Sequence, residues 1–184
     1  MEEGRVGLGR AFAPQRGNLM ALAPAVTDIE QLKDHPAIAT LLAWNSAAVE
    51  GAKFDRDEMT AYVERSAIRE ACSVLRDDPS CMFNYLSDVT CVDWFPSEPR
   101  FEVIYQLLSI SKKERIRLKV RLGGDSPAVE SVTSVWAGAN YFEREVFDLF
   151  GIRFLGHPYL RRLLMPEDWE GHPLRKDYPV EGYR

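Results

Sequence analysis

The sequence is short of the residues that usually announce chemistry. It has three cysteines, Cys72, Cys81 and Cys91. An odd number without close pairing gives no disulfide framework and points to a reducing compartment. Their spacing contains no CxxC pair and lacks the clustered intervals of zinc or iron–sulfur ligation. Buried thiols in structured segments are the expectation. No GxxxxGK[ST] loop is present, and no GxGxxG joins a strand to a helix, so unaided binding of NAD or a nucleoside triphosphate has no support. The single GLGR, residues 7–10, lies in a stretch without periodicity. No apolar run approaches the ~20 residues of a spanning helix. The longest uncharged stretch near the start, GNLMALAPAVT (17–27), carries a proline and an asparagine and is also a poor secretory core. A cytoplasmic protein follows, which leaves room for attachment to a membrane complex. An excess of cations is missing too. A net charge of −5 argues against nucleic-acid binding driven by bulk electrostatics.

What is present is enough for one domain with a real core: 184 residues, 46% of them hydrophobic. Residues 1–26 are rich in Gly, Ala and Pro and read as a flexible arm, within which Met20 is an alternative start. Thr27 and Glu30 form a capping box for a first helix, which Pro36 interrupts before Ile38, Leu41 and Leu42. Residues 47–54 form a weak strand. Asp55 as cap and Glu58 at the third position predict a helix carrying Met59, Tyr62, Val63, Ala67, Ala71, Val74 and Leu75 on one side. Three strands follow at 82–94, 101–109 and 115–122. The last alternates cleanly: Ile116, Leu118, Val120 and Leu122 face inward and Arg115, Arg117, Lys119 and Arg121 outward. Those four cations could meet an acidic partner or phosphate. The simpler reading is a solvated face that discourages edge pairing. Residues 137–150 read as a helix ended by Gly151 in a left-handed position, with Arg144 and Asp148 as an i,i+4 pair. The predicted fold is α+β: a mostly antiparallel sheet with helices packed on one face, over 27–155, followed by an extended irregular arm, 156–184. Its core is expected to draw on Leu118, Val120, Val103, Tyr105, Leu86, Met59 and Val63.

Chemistry has few candidates. All three histidines, His35, His157 and His172, precede proline. His157, His172, Asp168 and Asp177 make a conceivable metal set, but no pair has helical spacing and prolines break the segment. Hydrogen-bonding anchors are the simpler reading. Glu145 and Asp148 share a helix face near Glu143 and could act as acid and base. Ion pairing with Arg144, Arg161, Arg162, Arg175 and Lys176 explains them more simply. The arm has a proline every six to eight residues, at Pro158, Pro166, Pro173 and Pro179, which prevents a long helix. It still carries Tyr159, Leu160, Leu163, Leu164, Met165, Trp169, Leu174 and Tyr178, too apolar for a solvated tail. Fully extended it reaches roughly 90 Å. It needs a surface to lie on, supplied by its own domain or by a partner.

The stretch EREVFDLFGIRFLGHPYLRRLL (143–164), followed by PEDWEGHPLRKDYP (166–179), closely resembles the signature of the thirty-kilodalton subunit family of NADH–quinone oxidoreductase, respiratory complex I. Glu143, Arg144, Glu145, Asp148, Leu149, Phe150, His157 and Arg161 stand at the family's positions, and the likeness extends from about Thr27 to Pro179. The resemblance implies a chain without flavin, iron–sulfur cluster or quinone site of its own. It would sit in the hydrophilic arm, peripheral to the cytoplasmic face of the cell inner membrane, and brace the neighbouring subunit that forms much of the quinone pocket. The whole complex passes electrons from NADH through FMN and iron–sulfur centres to quinone and translocates protons. On this reading no residue is catalytic, cofactor-binding or metal-binding. The expected interface and signature set is Glu143, Arg144, Glu145, Asp148, Gly151, His157, Pro158, Arg161, Arg162, Trp169, His172, Pro173, Arg175, Lys176, Asp177 and Tyr178. Because the sequence stops after Tyr183 and Arg184, fusion to the quinone-pocket subunit is not expected. Two alternatives stand beside this: the same role in a membrane-bound hydrogenase or another quinone oxidoreductase, and a stand-alone metal-dependent hydrolase.

Overall fold

A computed structural model of the chain describes residues 24–182. Helices α1 (Ile29–Leu32) and α2 (Pro36–Asn45) lead through a single 3-10 turn into strands β1 (Val49–Asp55) and β2 (Glu58–Val63). Helix α3 (Ile68–Asp77) precedes β3 (Tyr85–Asp93), β4 (Phe101–Ser109) and β5 (Glu114–Leu122). A short β6 (Ala128–Glu130), helix α4 (Ala139–Phe150) and β7 (Arg153–Leu155) follow. Residues 156–182 contain no helix or strand. Most of the expected N-terminal arm, with Met20 and GLGR, lies outside the described residues. At its end Val26 bridges Phe54 on β1, with two backbone hydrogen bonds of 2.8 and 2.9 Å.

The main sheet runs β1-β2-β5-β4-β3. Its neighbours are antiparallel except for β2 and β5, which pair in parallel. The two-residue period of β5 does what it predicts: Ile116, Leu118, Val120 and Leu122 are no more than 2% exposed. Every residue expected in the core is buried, and helices α2, α3 and α4 join the same cluster through Ile38, Leu41, Ala71, Leu75 and Val146. Each branched aliphatic side chain among them contributes about 1.5–3 kcal/mol on leaving water.

Three expectations need correction. The helix expected from Asp55 begins only at Ile68. Residues 55–58 instead form a tight hairpin turn in which Arg56 and Asp57 have φ of 53° and 62°. Met59, Ala61 and Val63 point inward from β2, so a period of two wins over the helical one. The cap of α1 is Asp28 rather than Thr27, since its carboxylate accepts from the Glu30 amide at 3.0 Å. Strand β5 is central, so its cations do not guard an edge. On the uncovered face of the sheet Lys119 bonds to Glu102 at 2.6 Å, Arg117 pairs with Glu58, and Arg121 lies 4.4 Å from the Tyr62 ring centre. The stripe is largely neutralised where it stands. The three cysteines are buried free thiols, and burial pushes Cys91 up to about 12. No helix among the described residues is long and apolar enough to cross a membrane.

Candidate functional site

Helix α4 ends where Gly151 turns left-handed, with φ +73°. A helix end leaves several carbonyls without partners. Here the C-terminal segment supplies them. The carbonyl oxygen of Asp148 meets His172 Nδ1 at 2.9 Å, that of Leu149 accepts the Leu174 amide at 3.0 Å, and that of Phe150 accepts Arg175 Nε at 2.6 Å. The Arg175 guanidinium at this end also complements the helix dipole. The segment is therefore the cap of α4.

The Asp148 side chain is the second tie. It is fully buried, and one oxygen, Oδ2, accepts three consecutive amides: Leu163 at 2.9 Å, Leu164 at 2.7 Å and Met165 at 2.9 Å. The other, Oδ1, accepts Arg162 Nη1 at 2.7 Å. Burial alone would raise the pKa of this acid. The Met165 and Leu164 amides, the guanidinium and the Leu163 amide outweigh it and hold the carboxyl below the usual range. Arg162 then spreads its second nitrogen over the carbonyls of Trp169 and Gly171, at 2.8 and 2.9 Å. Arg144 donates to the carbonyls of Arg161 and Arg162, both at 3.1 Å. The expected Arg144–Asp148 pair thus gives way to an Arg162–Asp148 pair, because a guanidinium arriving from the segment reaches the buried carboxylate.

A third tie lies further along. Arg100 makes two bonds to Asp93, at 2.9 and 2.8 Å, and two to Asp177, at 2.9 and 2.6 Å. The Lys176 amide adds a bond to Asp93 at 2.9 Å. Burial acts to raise the Asp93 pKa, but Arg100 and the amides of Lys176 and Phe95 bring it down to about 2. The guanidinium also stacks on Phe95 and Phe101, 4.9 and 4.8 Å from their ring centres. Asp93 and Arg100 were not among the residues expected from sequence. The available signal was an acid and a base flanking a proline-rich turn between two strands.

The predicted residues sort by direction. His157 uses both ring nitrogens: Nδ1 accepts the Tyr159 amide at 3.0 Å, and Nε2 lies 3.2 Å from the Asn140 carbonyl. Burial lowers the pKa of both His157 and His172, which favours the neutral ring. Glu143 is buried against the loop after β6. Gly151, His172, Pro173, Arg175 and Tyr178 are half-buried against the domain, and Lys176 contributes its amide while its side chain is exposed. Glu145, Pro158, Arg161 and Trp169 face outward. The conceivable metal set does not assemble: His157, His172 and Asp177 are taken up separately, Asp168 is exposed, and no three His, Cys, Asp or Glu side chains converge among the described residues. Asp148 is likewise taken up by amides, so it does not form an acid–base pair with Glu145.

Beside these exposed charges, this part of the chain shows solvent a set of large apolar side chains. Tyr141, Leu155, Tyr159, Leu164, Trp169 and Leu174 are all substantially exposed, from 39% for Trp169 to 64% for Tyr141. Tyr159 is flanked by Arg144 and Arg161, 5.6 and 4.8 Å from its ring centre. Aromatic residues and arginine are the types enriched at the energetic centre of protein interfaces.

Comparison with known proteins agrees with the sequence signature. A family model described as the respiratory-chain NADH dehydrogenase, 30 Kd subunit, matches residues 61–184. A relative from Roseiflexus sp. (strain RS-1), named as a subunit of NADH-quinone oxidoreductase, is 51% identical over 72% of this chain and 76% of its own length. Its namesake from Roseiflexus castenholzii is 48% identical over 80% of this chain and 85% of its own. Among solved structures, a chain of the membrane-bound sulfane sulfur reductase, an archaeal respiratory membrane complex, aligns with a TM-score of 0.67 at 24% identity. It covers 80% of this chain and 86% of its own and shows the shared fold.

Proposed function

The chain belongs to the respiratory-chain NADH dehydrogenase 30 Kd subunit family, and from that premise we propose that it is a structural and assembly subunit of an NADH–quinone oxidoreductase. It works with the other subunits of that complex and braces the one that forms the quinone pocket. FMN, iron–sulfur clusters and quinone are held by other chains, and this one shapes and steadies their surroundings. Its place is peripheral, on the cytoplasmic face of the cell inner membrane.

The observation that carries this reading is the division of labour in residues 156–179. Arg162, His172, Arg175 and Asp177 are committed inward to Asp148, the end of α4 and Arg100, while Tyr159, Leu164, Trp169 and Leu174 are left outside beside exposed charges such as Arg161 and Glu167. A segment fixed in this way loses little further freedom on docking, which favours affinity. Deleting it would also strip the cap from α4 and strand the Asp148 carboxylate, so truncation confuses docking with folding. The cleaner test replaces Leu164, Trp169 and Leu174 by Ser in the full chain. The expected result is an unchanged circular dichroism spectrum and thermal midpoint, loss of the chain from the complex on a native gel, and loss of NADH–quinone reductase activity in membranes. Normal incorporation with full activity would refute the proposal. Using NADH as sole donor in the same membranes separates this complex from one of similar build fed by another reductant.

A further inference from the structure

Glu143 takes no part in holding the C-terminal segment. It is fully buried, and its two oxygens face the loop that follows β6. Oε1 accepts the Val132 amide at 2.7 Å, and Oε2 lies 2.6 Å from the Ser131 hydroxyl. Ser131 Oγ is in turn 2.8 Å from Thr133 Oγ1.

The charges around it are arranged unlike those at the two buried aspartates. Asp148 and Asp93 each have a guanidinium within hydrogen-bond distance. Among the described residues no ion pair reaches Glu143. From β4 comes Tyr105, whose buried hydroxyl has no hydrogen-bond partner among the described residues, and from α3 comes the Cys72 thiol. Cys91 of β3 is also near enough to act on the Tyr105 hydroxyl. The cations of α3 stop short: Arg76 donates to the Val135 carbonyl at 2.9 Å, and Arg69 faces Glu130 at 3.7 Å. On α4 itself Arg144 turns to the carbonyls of the C-terminal segment and Glu145 faces solvent. A carboxylate out of water with two neutral donors and no counter-cation is strongly disfavoured.

We propose that Glu143 is a proton-binding site of the folded chain, and that proton release there lowers the stability of the fold around it. The hydrogen-bond directions accommodate both states. With the proton on Oε2, that oxygen donates to Ser131 Oγ, and the Ser131 hydroxyl rotates to donate to Thr133 Oγ1. Without it, the Ser131 hydroxyl rotates back and donates to Oε2. Val132 N–H serves Oε1 throughout. Burial pushes the Glu143 pKa up to about 7, and the Ser131 and Val132 donors only partly offset it. This carboxyl therefore changes charge near neutral pH, well above the ~4.3 of a glutamate in a free peptide.

Linkage sets the sign. A raised folded-state pKa contributes stability that is complete below the ordinary value and is lost as pH rises to about 7. Between those limits the folded-to-unfolded ratio falls about tenfold per pH unit from this group, and the loss levels off above. Glu143→Gln mimics the protonated state, since its amide donates to Ser131 and its carbonyl accepts Val132. The experiment compares urea unfolding of the full chain and Glu143→Gln from pH 5 to 8, alongside carboxyl-carbon NMR of chain labelled at glutamate. The proposal expects the difference between the two proteins to grow about tenfold per unit below neutrality, and one glutamate resonance, absent from the variant, to titrate near 7. Parallel stability profiles, or titration of that resonance in the ordinary range, overturn it. Should Glu143→Gln not fold, the resonance stands alone as the test, with Ser131→Ala beside it. Removing that donor raises the midpoint, and an unmoved midpoint counts against the site.

Discussion

Replacing Asp148 by Asn tests how the C-terminal segment is held. The substitution keeps size and shape and removes the charge. In the native chain Oδ2 serves three amides and Oδ1 serves Arg162. The amide of Asn can present its oxygen to one of these sets only. If the oxygen faces the three amides, its NH2 group meets the Arg162 guanidinium, donor against donor. If it turns, the NH2 meets three backbone N–H groups. Hydrogen bonds to a charged group are worth about 1.5–3 kcal/mol, against about 1 kcal/mol for neutral ones. Breaking a buried ion pair by removing one partner costs about 3–5 kcal/mol. A loss of about 3 kcal/mol is expected, equivalent to a factor of about 100 in the unfolding constant. Urea unfolding measures it. Trypsin supplies the local readout, because Arg161 and Arg162 adjoin the three amides, of residues 163–165, that Asp148 holds. Asp148→Asn should be cut there much faster than the parent chain while helix content stays constant. A double-mutant cycle with Arg162→Met should return a coupling above about 1 kcal/mol. A destabilisation under about 1 kcal/mol with unchanged cleavage would show that the segment is held by something other than this carboxylate.

Two further outcomes follow from the same geometry. Arg100→Lys removes the fork that grips Asp93 and Asp177 together and should cost about 2 kcal/mol in urea unfolding. Because Asp93 is held down to about 2, its contribution is present above the ordinary carboxylate range and is lost as pH falls through that window, so acid unfolding of the Arg100 variant should show a shallower step there than the parent. Gly151→Ala would bring a Cβ to 2.5 Å from the His172 ring and 2.6 Å from the Arg175 guanidinium, at a φ of +73°. The backbone cost alone is about 1–2 kcal/mol, so calorimetry should show a thermal midpoint lowered by several degrees. An unchanged midpoint would mean that the cap does not depend on this turn.

Strands β4 and β5 could be read from the sequence almost to the residue. One is apolar on both faces, the other alternates cleanly, and a lysine-rich turn separates them. Residues 59–75 were ambiguous for a physical reason. Met59, Tyr62 and Val63 recur at helical spacing, while Met59, Ala61 and Val63 alternate. The turn that decides between them uses Arg56 and Asp57 in left-handed conformations, without the glycine or asparagine that would have marked it. The buried positions Met59 and Val63 were therefore found for the wrong element. At the candidate site, Asp148, His157 and Arg162 were visible in the motif, because they sit near one another in sequence. Asp93 and Arg100 left only the local signal of an acid and a base across a turn, since Asp177 meets them only after the sheet has folded. Glu143 was visible as a motif residue, but its burial away from any cation depends on a loop that no local pattern placed.

The parallel pairing of β2 with β5 also sets an order of events in time. The hairpin β1–β2 and the meander β3–β4–β5 each close through near neighbours, and both can form early. Met59 meets Ile116 only when the chain between them, including α3 and two strands, is in place. Contacts across such separations are slow because loop closure precedes their reward. Until then β2 and β5 each present an unpaired backbone edge. During synthesis the hairpin emerges first and waits for the third strand of the meander. The seam between β2 and β5 is thus the last joint of the sheet to seal, and the interval before it seals is when a newly made chain is most open to pairing with the wrong strand.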